Sequence, residues 1–160
     1  MKLYKVGGCV RDSLLGKKSK DIDYVCVGSS TTIDDAWNEM RNYLTDNNYD
    51  IFLENKDCFT IRARNPSNKL TSDFVLARKE LYYPKDSRAP VCAPGTLEDD
   101  LRRRDFTINA LALDEDGNII DMFGGQKDLM ECTIRTPLDP NVTLYDDPLR
   151  ILRALRFSVI

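Results

Sequence analysis

Apolar positions along the chain recur with two periods, one near 2 and one near 3.6, and the switches between them mark out elements. Leu3 to Val6 is a short apolar run closed by Gly7-Gly8. Val10 to Leu15 then follows as a helix ended by Gly16, a residue suited to the left-handed conformation that stops helices. Ile22 to Val27 is rich in β-branched and aromatic residues and predicts a strand. Thr31 to Tyr43 predicts a helix, with Ile33, Ala36, Trp37 and Met40, and Leu44 just beyond, at helical spacing. Ile51–Leu53, Phe59–Ala63 and Phe74–Ala77 are strand candidates. This βαβαβββ order predicts an α/β (α+β) domain on one mixed sheet flanked by helices.

The second half is less regular. Lys79 to Gly95 holds Pro84, Pro90 and Pro94 with little apolar periodicity, and predicts a long functional loop. Thr96 can cap a helix whose first turn carries Glu98, Asp99 and Asp100, where the helix dipole favours acids. Ala110–Leu113 and Ile119–Met122 flank Asp-Glu-Asp-Gly-Asn, a hairpin signal. After Pro137 and Pro140 the chain turns. Asp147-Pro148 then predicts an N-cap followed by proline at the first helical position, opening a helix over Leu149–Ile160. Drawn at 100° per residue, that helix has Leu152, Leu155 and Val159 on one stripe and Arg150, Arg153 and Arg156 on the adjacent arc. Its apolar side has no following partner in the sequence, which predicts association through this helix, with itself or with a separate chain.

Composition narrows the chemistry. A chain of 160 residues, with charged residues at 31% and apolar ones at 42%, has the make-up of one globular domain that needs no disulfide or metal staple. Lys and Arg number 23 against 26 Asp and Glu, so any binding of nucleic acid must come from a local basic surface rather than bulk charge. No apolar run reaches the ~20 residues of a membrane span, and the N-terminus lacks a signal peptide's apolar region, which points to the cytoplasm. With no histidine, Ser-His-Asp and Cys-His nucleophile systems and His-based metal sites are excluded. The five cysteines, at 9, 26, 58, 92 and 132, have no metal-binding spacing, and their odd number cannot form a complete disulfide framework. They are expected to be reduced and mostly buried. Carboxylates, arginines, lysines and backbone groups must carry whatever chemistry there is.

Asp21-Ile22-Asp23 opens the second strand, and residues two apart on a strand share a face. Two carboxylates side by side repel unless a cation lies between them, and oxygen ligands with no nearby nitrogen or sulfur suit Mg²⁺. Two such ions activate an attacking oxygen and stabilise a leaving one in phosphoryl transfer. A bare Asp-x-Asp can equally be two solvated acids at a strand end, so the surroundings decide. Gly7-Gly8 lies between a strand and a helix bearing Arg11, where backbone N–H groups can approach phosphate and a guanidinium can grip it. Neither the dinucleotide fingerprint nor the P-loop pattern is present. Asp73, at the start of a later strand, is a candidate third acid, able to accept a proton from an attacking hydroxyl. Arg102-Arg103-Arg104-Asp105 is a basic block that is either a solvated helix face or a phosphate contact. Asp105 and Asn109 could anchor the turn or meet sugar hydroxyls. The same two alternatives hold for Arg150, Arg153 and Arg156.

Three stretches, LYKVGGCVRDSLLGKKSKDIDYVCVG, TLEDDLRRRDFTINALALDEDGNIIDMFGG and YDDPLRILRALRF, taken in order, resemble the tRNA nucleotidyltransferases, or CCA-adding enzymes, and the bacterial poly(A) polymerases. The resemblance spans residues 3 to 157. It implies a polymerase-β-like nucleotidyltransferase head over residues 1–145, with 146–160 the start of a neck helix. It also implies transfer of CMP and AMP from CTP and ATP to the 3′ end of tRNA, with poly(A) addition as the alternative. A nucleotide- or RNA-binding module that relies on a partner chain is a further alternative. By the same resemblance, Asp21 and Asp23 hold catalytic Mg²⁺, Asp73 is the third acid, and Gly8 and Arg11 meet the triphosphate. Arg104 meets the incoming nucleotide, Asp147 and Arg150 read the base edge, and Arg153 and Arg156 are further nucleotide contacts. The loop Lys79–Gly95 falls where the family has a flexible loop that helps the site change between C and A addition. Asp146 stands where the family more often has Glu. In the family the neck continues into body and tail regions that hold the tRNA.

Overall fold

The structure is a computed structural model that describes residues 1–19, 21–82, 84–85 and 91–159. Among these residues, nine strands and six helices follow in the order β1 (Lys2–Val6), α1 (Gly8–Leu14), β2 (Ile22–Val27), α2 (Ile33–Asp46), β3 (Asp50–Asn55), β4 (Thr60–Arg64), β5 (Thr71–Leu76), β6 (Arg78–Tyr82), β7 (Val91–Pro94), α3 (Leu97–Arg102), β8 (Leu111–Leu113), β9 (Ile119–Asp121), α4 (Gly125–Met130), α5 (Pro140–Asp146) and α6 (Leu149–Phe157). A 3-10 turn, Thr107–Asn109, precedes β8. Seven strands form one mixed sheet in the order β3-β4-β5-β2-β1-β8-β9, as the α/β expectation requires. Only β2 and β5 run parallel; the other neighbours are antiparallel.

The alternation of β2 sends its side chains to two cores. Cys26 joins Trp37, Met40 and Leu44 of α2 with Phe74 and Leu76 of β5 on one face. Val25 joins Val6, Leu97 and Leu101 on the other, beneath α3. α2 begins where Thr32 caps it, accepting the Asp35 N–H. α3 begins with a reciprocal capping box, Thr96 accepting from the Asp99 N–H and Asp99 from the Thr96 N–H. Among the described residues no helix is long and apolar enough to cross a membrane.

Several expectations need correction. The stretch read as a long loop contains an antiparallel ribbon: Arg78 pairs with Pro94 and Lys79 with Ala93. This ribbon buries no face, so it leaves no apolar alternation to read. Pro84 lies between its strands and Pro94 at the end of one, where a missing N–H costs little. Pro90 lies outside the described residues. Helices α4 and α5 were not anticipated. α5 opens on Asp139-Pro140, with Asp139 accepting the Asn141 N–H, the same cap-plus-proline signal that was read at Asp147-Pro148. The cysteines are not mostly buried: Cys26 is, Cys9 and Cys92 are half-buried, and Cys58 and Cys132 are exposed.

Candidate active site

β2 and β5 are parallel neighbours with Asp23 directly opposite Asp73, and Asp23 opposite Val6 of β1 on the other side. Asp73 is in turn opposite Arg62 of β4. One row across the sheet therefore reads Arg62, Asp73, Asp23, Val6. Asp23 shares a face with Val25, so it points to the α3 side. Asp21, just before β2, joins Asp23, Arg62 and Asp73 around a crevice of about 220 Å³. The expectation that a neighbouring strand brings the third acid beside the pair is what the register gives. The sequence reading missed Arg62: its Nε and Nη2 donate to both oxygens of Asp73, at 2.6 and 2.7 Å.

Asp23 also lines a second, adjoining cleft of about 510 Å³. Gly7 and Gly8, Arg11, Arg103 and Arg104 with Asp105 and Asn109, and Asp147 with Arg150, Arg153, Arg156 and Phe157 form its walls. Six arginines face three aspartates there, in a chain whose net charge is −3. Partial burial raises the pKa of Asp23 above the ordinary carboxylate value; Asp73 raises it further, Arg104 draws it back and Asp21 adds to the rise.

Each wall is built from a local rule. Gly7 has φ 73° and ψ −133°, and a Cβ on it would lie 2.8 Å from Arg104 Nη1. Its carbonyl accepts the N–H groups of Val10 and Arg11, which turns β1 into α1. At Gly8 a Cβ would meet only Arg11 Nη2 at an ordinary 3.5 Å, so of the two glycines it is Gly7 whose conformation requires glycine. Arg11 donates from Nε and Nη2 to Asp12 and from Nη1 to Asn109 Oδ1, at 2.7 Å.

Arg103 and Arg104 are held by Asp100, which is fully buried and receives Arg103 Nη2 at 2.5 Å and Arg104 Nη2 at 2.9 Å. Burial pushes the Asp100 pKa up, but the guanidinium groups of Arg104 and Arg103 outweigh it and hold it below the usual carboxylate value. Arg103 and Arg104 are therefore tied to the fold at the cleft, whereas Arg102 is exposed and pairs with Glu98 on a solvated face, and Asp105 and Asn109 do anchor the turn. Asp105 accepts from the Phe106 N–H, Asn109 Nδ2 and Arg153 Nε.

Asp147 has extended backbone and its Oδ1 accepts the Leu149 N–H, while Pro148 already has helical angles, so the expected cap forms. Arg150 lies 3.9 Å from Asp147, and its Nη1 and Nη2 donate to the carbonyls of Thr143 and Arg103, both at 2.9 Å. Its guanidinium thus ties α6 to the basic block. Arg156 lines the cleft and, among the described residues, makes no ion pair. No group of three metal-ligating side chains is assembled among the described residues. Asp21 and Asp23 remain an all-oxygen pair of the kind that binds Mg²⁺ together with substrate phosphates and water.

Residues 3–135 match the family described as the poly A polymerase head domain. The chain belongs to that family. The A-adding tRNA nucleotidyltransferase of Aquifex aeolicus (strain VF5) is 42% identical to it over 162 residues, 99% of this chain and 18% of that protein. The multifunctional CCA protein of Hahella chejuensis (strain KCTC 2396) is 39% identical over 163 residues, 99% of this chain and 34% of that protein. Among solved structures, the Bacillus stearothermophilus CCA-adding enzyme in complex with CTP has a TM-score of 0.75 at 30% identity, covering 97% of this chain and 34% of that one. The chain thus spans less than a fifth of the length of the Aquifex protein, and about a third of the other two. The family match over residues 3–135 lies within the stretch these relatives share with the chain.

Proposed function

We propose that this chain is the catalytic head of a template-independent nucleotidyltransferase, adding CMP and AMP from CTP and ATP to the 3′ end of tRNA in the cytoplasm. The observation that carries the reading is the place of Asp23: in register with Asp73, and on the wall of a cleft where arginines outnumber acids. Polyphosphate bound by the arginines lies beside carboxylates, which is the arrangement phosphoryl transfer needs. The named activities of the relatives support tRNA as the acceptor, and the CTP complex supports the nucleotide.

In this reading the tRNA 3′ oxygen attacks the α-phosphorus, forming the new phosphodiester as the bond to the β-phosphate breaks and pyrophosphate leaves. Arg11 and Arg104 offset the charge on the departing phosphates. Asp73 accepts the proton of the attacking hydroxyl, which requires the Arg62 fork to free one of its oxygens. Asp21 and Asp23 hold Mg²⁺, which when bound lowers the pKa of the attacking hydroxyl and neutralises phosphate charge. Asp147 and Arg150 supply an acceptor and a donor-only group for the base edge, as CTP and ATP require; Gly8, Arg153 and Arg156 add nucleotide contacts.

Residues 1–145 form the head and 146–160 begin the neck. The outward face of α6, with Leu152 63% and Leu155 62% exposed, is a surface for association with a second copy or a partner chain. Incubation with tRNA lacking its 3′ end, labelled CTP or ATP, and Mg²⁺ tests the activity. Incorporation of C before A is expected, with loss in Asp21→Ala and Asp23→Ala. Serial addition of A alone would establish the poly(A) reading instead, and no transfer with retained CTP binding would favour a binding module.

A further inference from the structure

Phe157 has no part in the transfer just described, and its sequence context marks it only as one apolar residue in α6. In the structure it closes a circuit. The Arg11 guanidinium stands 5.0 Å from the centre of its ring and that of Arg153 5.8 Å. Arg11 Nη1 donates to Asn109 Oδ1 at 2.7 Å, Asn109 Nδ2 to Asp105 Oδ1 at 3.0 Å, and Arg153 Nε to Asp105 Oδ2 at 2.7 Å. From Arg153 the path returns through the ring to Arg11. The circuit joins α1, the 3-10 turn and α6, and the ring itself is set by an edge contact with Phe106, 5.9 Å away at 85°.

Two cations drawn to one ring would repel each other unless something offset them. The ring's negative π face attracts each, and Asp105 neutralises one. Asp12 competes for Arg11 from the opposite side, with Oδ1 2.7 Å from Nη2. The face contact with Phe157 and the bond to Asn109 keep the guanidinium in the cleft against that pull. We propose that Phe157 is a positioning residue, its ring fixing the Arg11 and Arg153 guanidinium groups in the cleft so that triphosphate affinity depends on a side chain of α6. This rests on the reading that the cleft binds nucleoside triphosphates.

The experiment is calorimetric titration of the full chain with CTP and, separately, with ATP, for the wild type and for Phe157→Tyr, Phe157→Leu and Phe157→Met. Tyr keeps the π face, while Leu and Met keep apolar contact without it. The Leu and Met variants are expected to fold, with melting traces like the wild type, and to bind both nucleotides about two- to five-fold more weakly. The factor should be the same for CTP and ATP, because it acts on phosphate rather than on base, and Tyr should restore wild-type affinity. Wild-type binding by Leu and Met overturns the proposal and leaves the nucleotide site standing. So does a Tyr variant as weak as Leu, or a loss confined to one base. Leu and Met variants that lose their fold show Phe157 to be a packing residue and also overturn it. A wild-type chain that binds neither nucleotide defeats the nucleotide reading itself.

Discussion

Gly7 is held to glycine by its backbone, and a side chain there would also move a neighbour. Its φ of 73° and ψ of −133° lie where a side chain is strained, and the space a Cβ would take is filled by Arg104 Nη1. Backbone strain of this kind costs about 1–3 kcal/mol, so Gly7→Ala should destabilise the chain by roughly that amount in urea unfolding. It should also displace Arg104, so CTP affinity should fall more in Gly7→Ala than in Gly8→Ala, where a Cβ meets only ordinary contact. Equal effects at the two glycines would show that Arg104 is not held by this approach. At this scale the sequence was readable where a residue type is rare for its role. The Asp-x-Asp pair, the double glycine and the arginine clusters stood out in a chain without histidine. Arg62 and Phe157 did not, because an arginine at an exposed strand position and a phenylalanine in a helix are ordinary. Only the β4–β5 register and the docking of α6 give them partners.

At the scale of elements, α3 shows how a short helix positions chemistry. The capping box at Thr96 and Asp99 fixes the start of the helix, and that phase turns Asp100 inward, beneath Arg103 and Arg104. Because the folded Asp100 pKa is lowered, the unfolded chain binds its proton more readily. The stabilisation is therefore fully present above the ordinary carboxylate value and is lost as pH falls through the lower folded value. Asp100→Asn should cost about 3 kcal/mol at pH 7, since two guanidinium groups lose their buried counter-charge. The gap between wild type and variant should close as pH drops below about 4. Urea unfolding across that range checks it, and a gap independent of pH would mean the loss is one of packing. Most of the elements legible in the sequence bury a face; β3, β9 and α6 bury no residue and were legible from an apolar run, a turn signal and a cap. β1, β2, α2 and the β8–β9 hairpin follow their hydrophobic period to within a few residues. The β6–β7 ribbon has no buried face, and α4 and α5 are short. α5 is defined by its cap and proline rather than by a period, so those segments carried little pattern.

For the whole molecule, charge is segregated rather than abundant. The net charge is −3, yet the cleft presents six arginines. Three carboxylates offset part of this charge: Asp12 sits on Arg11, Asp105 on Arg153, and Asp100 is shared by Arg103 and Arg104, so it cancels one of their two charges. Among the described residues Arg156 makes no ion pair, and Arg150 has only Asp147, at 3.9 Å. Six guanidinium charges against these three carboxylates leave about three for a polyanion, enough to orient a triphosphate but few for an RNA backbone. The logarithm of tRNA affinity should therefore fall with the logarithm of salt at a slope of about −2, with weak binding throughout. The exposed leucines of α6 respond to salt in the opposite sense, because apolar association is not screened. Light scattering at low and high salt should show a mass above the monomer in both. Leu152→Ser with Leu155→Ser should return the monomer and leave CTP binding unchanged, since neither residue lines the cleft. A strict monomer that binds tRNA tightly and steeply with salt would overturn both expectations. It would place the RNA on a basic surface other than the cleft and leave the apolar face of α6 without a role in assembly.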